Sequence, residues 1–227
     1  MAAGLMRGFA GFGSGMLMAP VFAILYGPID AVAMVTLLEL VVSAQLIPQV
    51  YKEAHWSLVG PLSLAAILFM PVGAYILQSA DPVVLTRLMA AVVLAFVLVL
   101  LAGWRYRGEK KLSSTLAVGA VSGVMMASTS LGNPPVLVYL LAGNDPARSI
   151  RANVIMYFAV TQVVLLVVLG YMALITRSAL TMATIVAPGY LLATWIGSRL
   201  FRQADEKLYR RATIALLLVI AVYGLLR

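Results

Sequence analysis

Apolar runs of membrane-spanning length, separated by short polar turns, account for nearly the whole chain. They cover Gly4–Tyr26, Ala31–Tyr51, Ser57–Ser79, Val83–Trp104, Leu112–Asn144, Ala152–Ile175, Ala179–Ser198 and Ala212–Leu226. About 20 apolar residues suffice for a helix to cross a bilayer. The turns are marked by Gly27-Pro28-Ile29-Asp30, Lys52-Glu53-Ala54-His55, Ala80-Asp81-Pro82, Gly143-Asn144-Asp145-Pro146 and Arg177. Arg199–Arg211 reads as a polar, amphipathic link, and Pro188-Gly189 as a bend. Val83–Trp104 is the most lipid-like run, with Arg87 near its start, and Trp56 reads as an interfacial anchor.

Two runs do not read as simple crossings. Leu112–Asn144 holds 33 residues without Asp, Glu, Lys or Arg, and Ser128-Thr129-Ser130-Leu131-Gly132-Asn133-Pro134-Pro135 lies inside it. Glycine and paired prolines cannot continue a regular helix. Backbone groups freed there need protein or water as partners, because lipid offers none. The start of the chain repeats the device: Gly11-Phe12-Gly13-Ser14-Gly15, then Pro20, within the uncharged stretch Gly8–Ile29. Paired interrupted segments in the two halves of a membrane protein point to a transport site.

The basic stretch 105–111 divides the chain into a first transmembrane repeat, 1–104, and a second, 112–227. Gly73, Ala80-Asp81 and Arg87 recur as Gly197, Ala204-Asp205 and Arg211 at an offset of 124, and Gly27 recurs as Gly143 at 116. Charge then separates two topologies, since Lys and Arg favour cytoplasmic loops. If every run crosses once, the 16 basic residues divide evenly between the two sides. If both interrupted runs enter and return on one side, only Arg7, Arg87, Arg177 and Arg227 fall opposite the other 12. The expected fold is therefore an all-α polytopic membrane protein of two inverted repeats, each a re-entrant broken helix plus three transmembrane helices. Only 12 residues precede Gly13, so the first half-helix is short or the chain starts late within it.

Composition agrees: 63% of the 227 residues are hydrophobic and 11% charged, which no soluble core of this size requires. No cysteine is present, which removes disulfides and thiol chemistry, and the single His55 leaves little for a metal or a His-based mechanism. No cofactor is called for. The net charge of +8 caps membrane spans and does not indicate nucleic acid. Met1–Ala10 lacks the basic start of a cleavable signal peptide.

The candidate site follows from the breaks. A half-helix starting near Pro135 would aim N–H groups and its positive dipole end at the interruption, a ready anion site, with Gly132, Asn133 and Pro134 at its tip. Gly13, Ser14 and Gly15 would do the same from the other half. The hydroxyls of Ser128, Thr129 and Ser130 could bond anion oxygens or bond back to carbonyls one turn earlier. Glu39, a carboxylate inside an apolar span, could carry a proton in coupled transport or pair with an arginine near the hairpins. Arg148 and Arg151 flank a span and could draw anions to a cytoplasmic entrance, while Asn153 lies deeper. Gln45, Gln78, Tyr157, Thr161 and Gln162 read chiefly as helix-to-helix glue. Ser14 and His55 do not make a protease site, because His55 sits in a charged loop. The Gly11-x-Gly13 pattern follows no strand and is not a dinucleotide motif.

Arg7-Gly8-Phe9-Ala10-Gly11-Phe12-Gly13-Ser14-Gly15 with Pro20, and Gly132-Asn133-Pro134-Pro135-Val136-Leu137-Val138-Tyr139-Leu140-Leu141, resemble the paired motifs of the TauE/SafE sulfite-exporter family, and the resemblance spans nearly the whole chain. It implies export or uptake of small sulfur-containing anions such as sulfite, sulfonates or sulfoacetate-like acids. Ser14 interrupts the family's glycine run, and Asn133 stands where a second glycine is common, so both breaks gain a hydrogen-bonding side chain. The reading is a bacterial inner-membrane transporter of a small anion, working by alternating access in the lipid bilayer, with homo-oligomers left open. A passive anion channel, a carrier of non-sulfur organic acids and an intramembrane enzyme are the alternatives. Cysteines replacing Arg107 and Arg177 should be labelled from opposite sides of the membrane; labelling from the same side would refute the hairpins.

Overall fold

The computed structural model describes residues 1–101, 110–141 and 145–203. Arg105 and Arg107 of the linker, Gly143-Asn144, the Ala204–Arg211 part of the repeat and the run Ala212–Leu226 lie outside the described residues. Among those described there are nine helices and no strand: α1 (Ala2–Ala10), α2 (Ser14–Tyr26), α3 (Pro28–Val50), α4 (Trp56–Ser79), α5 (Pro82–Leu101), α6 (Leu112–Thr129), α7 (Asn133–Leu140), α8 (Ala147–Tyr171) and α9 (Arg177–Gln203). Five of them, α3, α4, α6, α8 and α9, are long and apolar enough to cross a membrane. Ile24, Leu68, Phe69, Val167 and Ile185 stay exposed along their helices. The chain is a multi-pass membrane protein.

Local chemistry sets the boundaries. Pro28 and Pro82 open α3 and α5, where a missing N–H costs nothing. Asp81 Oδ1 accepts from the N–H groups of Val83 (2.8 Å) and Val84 (3.2 Å), an N-cap for α5. The helix expected from Ala152 begins earlier, at Ala147, so Arg148 and Arg151 lie within its first turns. Pro188-Gly189 lies inside the uninterrupted α9, which also takes up the start of the polar link through Gln203.

The long-range packing crosses between the halves. α1 packs along α9, α4 along α6, and α3 against α8. Glycines let these backbones touch. A methyl group on Gly4 would lie 2.7 Å from the Tyr190 carbonyl oxygen, and one on Gly197 would overlap that of Leu5. In the other pair, Gly123 meets the Ala66 carbonyl and Gly73 that of Val124 in the same way. Gly4-x-x-x-Gly8 and Gly119-x-x-x-Gly123 are small-residue pairs one helical turn apart, the spacing that brings membrane helices into close contact. Thr176 Oγ1 donates to Asp30 Oδ1 (2.7 Å) at one end of the α3–α8 pair, and the His55 N–H donates to Asn153 Oδ1 (2.7 Å) towards the other. The two helices therefore run antiparallel.

The second interrupted run folds back on itself. Ser122 Oγ donates to the Gly132 carbonyl (2.6 Å), Tyr139 Oη lies 2.7 Å from Thr115 Oγ1, and Lys110 Nζ reaches the Leu140 carbonyl (3.4 Å) and Asp145 (2.6 Å). As numbers rise along α7 they fall along α6, so α7 ends where α6 began. In the first half, the Met6 side chain fills the space beside Gly13. Gly73→Leu forces a side chain into the Val124 backbone and should destabilise the protein by about 1–3 kcal/mol, as overpacking does. Gly60→Ala, where a methyl group meets nothing within 4 Å, should leave thermal unfolding in detergent unchanged or slightly raised.

Candidate functional site

Each break is made by a left-handed residue that ends one helix and a second turn that starts the next. Gly11 (φ 83°) closes α1 with its N–H on the Arg7 carbonyl (2.9 Å), and Gly13 (φ 91°) precedes α2. Ser130 (φ 59°) closes α6 with its N–H on the Met126 carbonyl (2.9 Å), and Gly132 precedes α7. Glycine takes the left-handed conformation freely, whereas Ser130 holds it against a steric cost. The breaks meet: a methyl group on Gly15 would stand 3.0 Å from the Ser130 carbonyl oxygen and 3.8 Å from Asn133 Nδ2. Ser14, Gly15, Ser128, Thr129, Ser130, Gly132, Asn133 and Pro134 are all buried.

The carbonyls freed at the end of α1 are held by two buried arginines. Arg7 donates to the Gly11 carbonyl, and Arg151 Nη2 to that of Gly8 (2.7 Å). Cations at the negative end of a helix also suit its dipole. Arg7 is further bound by Glu39 (Nε to Oε2, 2.8 Å) and Ser43 Oγ (3.1 Å), with Phe158 5.1 Å from its guanidinium. The other Glu39 oxygen accepts from Ser14 Oγ, at the first residue of α2, and from Tyr190 Oη (2.7 Å). One buried cluster thus joins α1, α2, α3 and α9. The pairing of Glu39 with an arginine beside a hairpin, one of its two expected roles, is present.

The second break is neutral by comparison. Ser122 bonds both the Gly132 carbonyl and the Tyr157 hydroxyl (2.7 Å). Ser128 and Thr129 bond back to Val124 (2.8 Å) and Met125 (2.7 Å), the local alternative for hydroxyls in membrane helices. Ser130 Oγ and Asn133 Oδ1 are buried with no hydrogen-bond partner among the described residues. Pro134 and Pro135 carry no N–H, so the tip of α7 is poorer in amide donors than its position suggests. Its hydrogen-bonding capacity rests on Asn133 and Ser130.

Other expected residues lie elsewhere. Asn153 is buried but tethers the α3–α4 loop through His55. Arg148 is exposed, whereas Arg151 is buried, 4.4 Å from the Phe201 ring, and so does not stand at an open entrance. The charge tally puts Arg7 at a membrane surface; the structure buries it, 1% exposed, because only there can it meet Glu39 and the Gly11 carbonyl. Tyr190, Ser122 and Ser43 were not singled out by sequence, although an acid in an apolar span is itself a signal that a cation and donors surround it. Truncating one member of a buried ion pair leaves the other uncompensated at a cost of about 3–5 kcal/mol. Arg7→Met and Glu39→Leu should therefore each lower the melting temperature in detergent strongly, and the double variant should recover much of the loss. Additive effects would mean that the pair is not coupled.

No significant match was found among curated proteins, and none among solved structures. The family model for the sulfite exporter TauE/SafE matches residues 1–224. With both motifs placed at facing helix breaks inside a helical membrane protein, and the match spanning nearly its whole length, this chain belongs to the sulfite exporter TauE/SafE family.

Proposed function

We propose that the chain is a secondary transporter that carries small sulfur-containing anions (sulfite, sulfonates or sulfoacetate-like acids) across the bacterial inner membrane by alternating access. Residues 1–104 and 112–227 form its two inverted repeats, joined by the basic linker 105–111. The fold-back of α7 beside α6 supports a hairpin in the second half, and the matching break at Gly11–Gly13 supports one in the first. The antiparallel α3–α8 pair supports their entering from opposite sides. Equivalent contacts support the repeat itself. Gly4 on Tyr190, Leu5 on Gly197 and the Gly11 cap correspond to Gly123 on Ala66, Val124 on Gly73 and the Ser130 cap, with offsets of 119 along the broken helices and 124 along α4 and α9.

The observation that carries the transport reading is the meeting of the two breaks, where Ser130 Oγ and Asn133 Oδ1 lie buried without a partner. A buried polar atom left unpaired is costly, and an exchangeable ligand or water satisfies it. The Ser130 hydroxyl and the Asn133 amide, whose two ends exchange by a half-turn of the side chain, can both donate to an anion's oxygens. Gly13, Ser14, Gly15, Gly132 and Pro134 shape the walls. Alternating access opens this meeting point first to one side and then to the other, and Glu39 is the group that couples a proton to the cycle. The sulfur in the substrate rests on family membership.

Proteoliposomes loaded with the protein should take up labelled sulfite or sulfoacetate with saturable kinetics and discriminate against a carboxylate of similar size. Asn133→Ala together with Ser130→Ala should reduce uptake at least tenfold, about 1.4 kcal/mol of lost binding or more. Equal uptake of the carboxylate would refute the sulfur assignment, and rates that never saturate would indicate a channel.

A further inference from the structure

The two helix tips occupy corresponding places in the chain but differ in what fills them. At the tip of α2, a side chain of the protein already plays the anion: Glu39 accepts from Ser14 Oγ, pairs with Arg7 at 2.8 Å and accepts from Tyr190 at 2.7 Å. At the tip of α7, Asn133, which corresponds to Ser14 at the offset of 119, meets no such group, and its Oδ1 is unpartnered. Gly15 brings the two tips into contact beside Asn133 and Ser130. An oxyanion on Asn133 and Ser130 is therefore a close neighbour of the Glu39 carboxylate. Two buried negative charges this close repel strongly in a medium of low dielectric constant.

We propose that Glu39 is a tethered competitor: the transported oxyanion displaces its carboxylate from Ser14 and Arg7, and the released carboxylate takes up a proton from water on the loading side. This rests on the transport reading and adds how charge is balanced within it. The anion gains Ser14 and Arg7 as ligands in addition to Ser130 and Asn133. The substrate enters with one negative charge, the proton neutralises another, and Arg7 keeps a partner throughout. Return of Glu39 to Ser14 and Arg7 expels proton and anion together.

The charged and titratable groups facing Glu39 suit this exchange. Arg7 comes from α1 and Tyr190 from α9, while Ser14 of α2 and Ser43 of α3 add neutral hydroxyls. From α8, Phe158 lies against Arg7, whereas Arg151 and Tyr157 are turned to Gly8 and Ser122. α6 carries no titratable side chain, and Tyr75 of α4 and Arg87 of α5 are exposed. No second acid among the described residues of these helices reaches the cluster, so the proton has one destination, Glu39.

Methanesulfonate, whose charge does not change near neutral pH, is the probe. It would be titrated calorimetrically into the full chain in lipid nanodiscs, in two buffers of different ionisation enthalpy. Wild-type protein should take up about one proton per anion bound. Glu39→Gln removes the competitor and leaves Arg7 seeking an anion, so binding should tighten roughly tenfold if the tip is otherwise free about a tenth of the time, with no proton uptake. Tyr190→Phe removes one donor from Glu39 and should tighten binding by a smaller factor, which keeps the test open should Glu39→Gln fail to fold. Affinity unchanged or weakened in the variants, or proton uptake persisting in Glu39→Gln, overturns the exchange while leaving the transport reading in place. Failure of the wild-type protein to bind methanesulfonate or sulfite overturns both.

Discussion

A helix that stops inside a bilayer leaves carbonyl and amide groups that lipid cannot satisfy, and this protein stops two of them. The rest of the architecture answers that constraint. Arg7 and Arg151 bond the carbonyls at the end of α1, and Ser122 bonds the Gly132 carbonyl between α6 and α7. Each of these donors is itself buried, so each needs partners of its own. Glu39 and Ser43 provide them for Arg7, and Tyr157 for Ser122. Each break thus gathers its own hydrogen-bonded polar groups, the form in which such groups are tolerable when buried.

The breaks are held in place by helices from the opposite half. α9 supports α1 and α4 supports α6, each through glycines that bring backbone against backbone. Van der Waals contact has to position these helices, since apolar side chains gain little by leaving lipid for one another. A movement of α4 or α9 would be passed directly to a break, and through Tyr190 on α9 to Glu39 as well.

Both breaks open on a left-handed residue, Gly11 in one and Ser130 in the other, but they differ in charge. The first gathers arginine and carboxylate; the second relies on a serine, a tyrosine and an asparagine. For the proposed anion, part of the positive charge beside the breaks would already be engaged by Glu39.

Much of this was legible in the chain. Run lengths and charge-free stretches marked the helices. Gly11-Phe12-Gly13 and Gly132-Asn133-Pro134 marked the breaks, because glycine and proline act on their own backbone wherever they stand. The offset of 124 between Gly73 and Gly197 reappears in the packing of α4 and α9. Partnership was not legible. Arg7 and Arg151 read as surface charges because a positive residue near the end of an apolar run is usually that, and only the folded partners of each, Glu39 for Arg7 and the Gly8 carbonyl for Arg151, show both turned inward. Ser128 and Ser130 are the same residue two positions apart. One bonds back to its own helix and the other has no partner among the described residues, because Ser130 is itself left-handed and lies past the end of the helix. Sequence determines where a helix must break, since that is a property of the local backbone. Tertiary structure alone determines what meets the broken ends, since Glu39 comes from a different helix and Arg151 from one more than a hundred residues away.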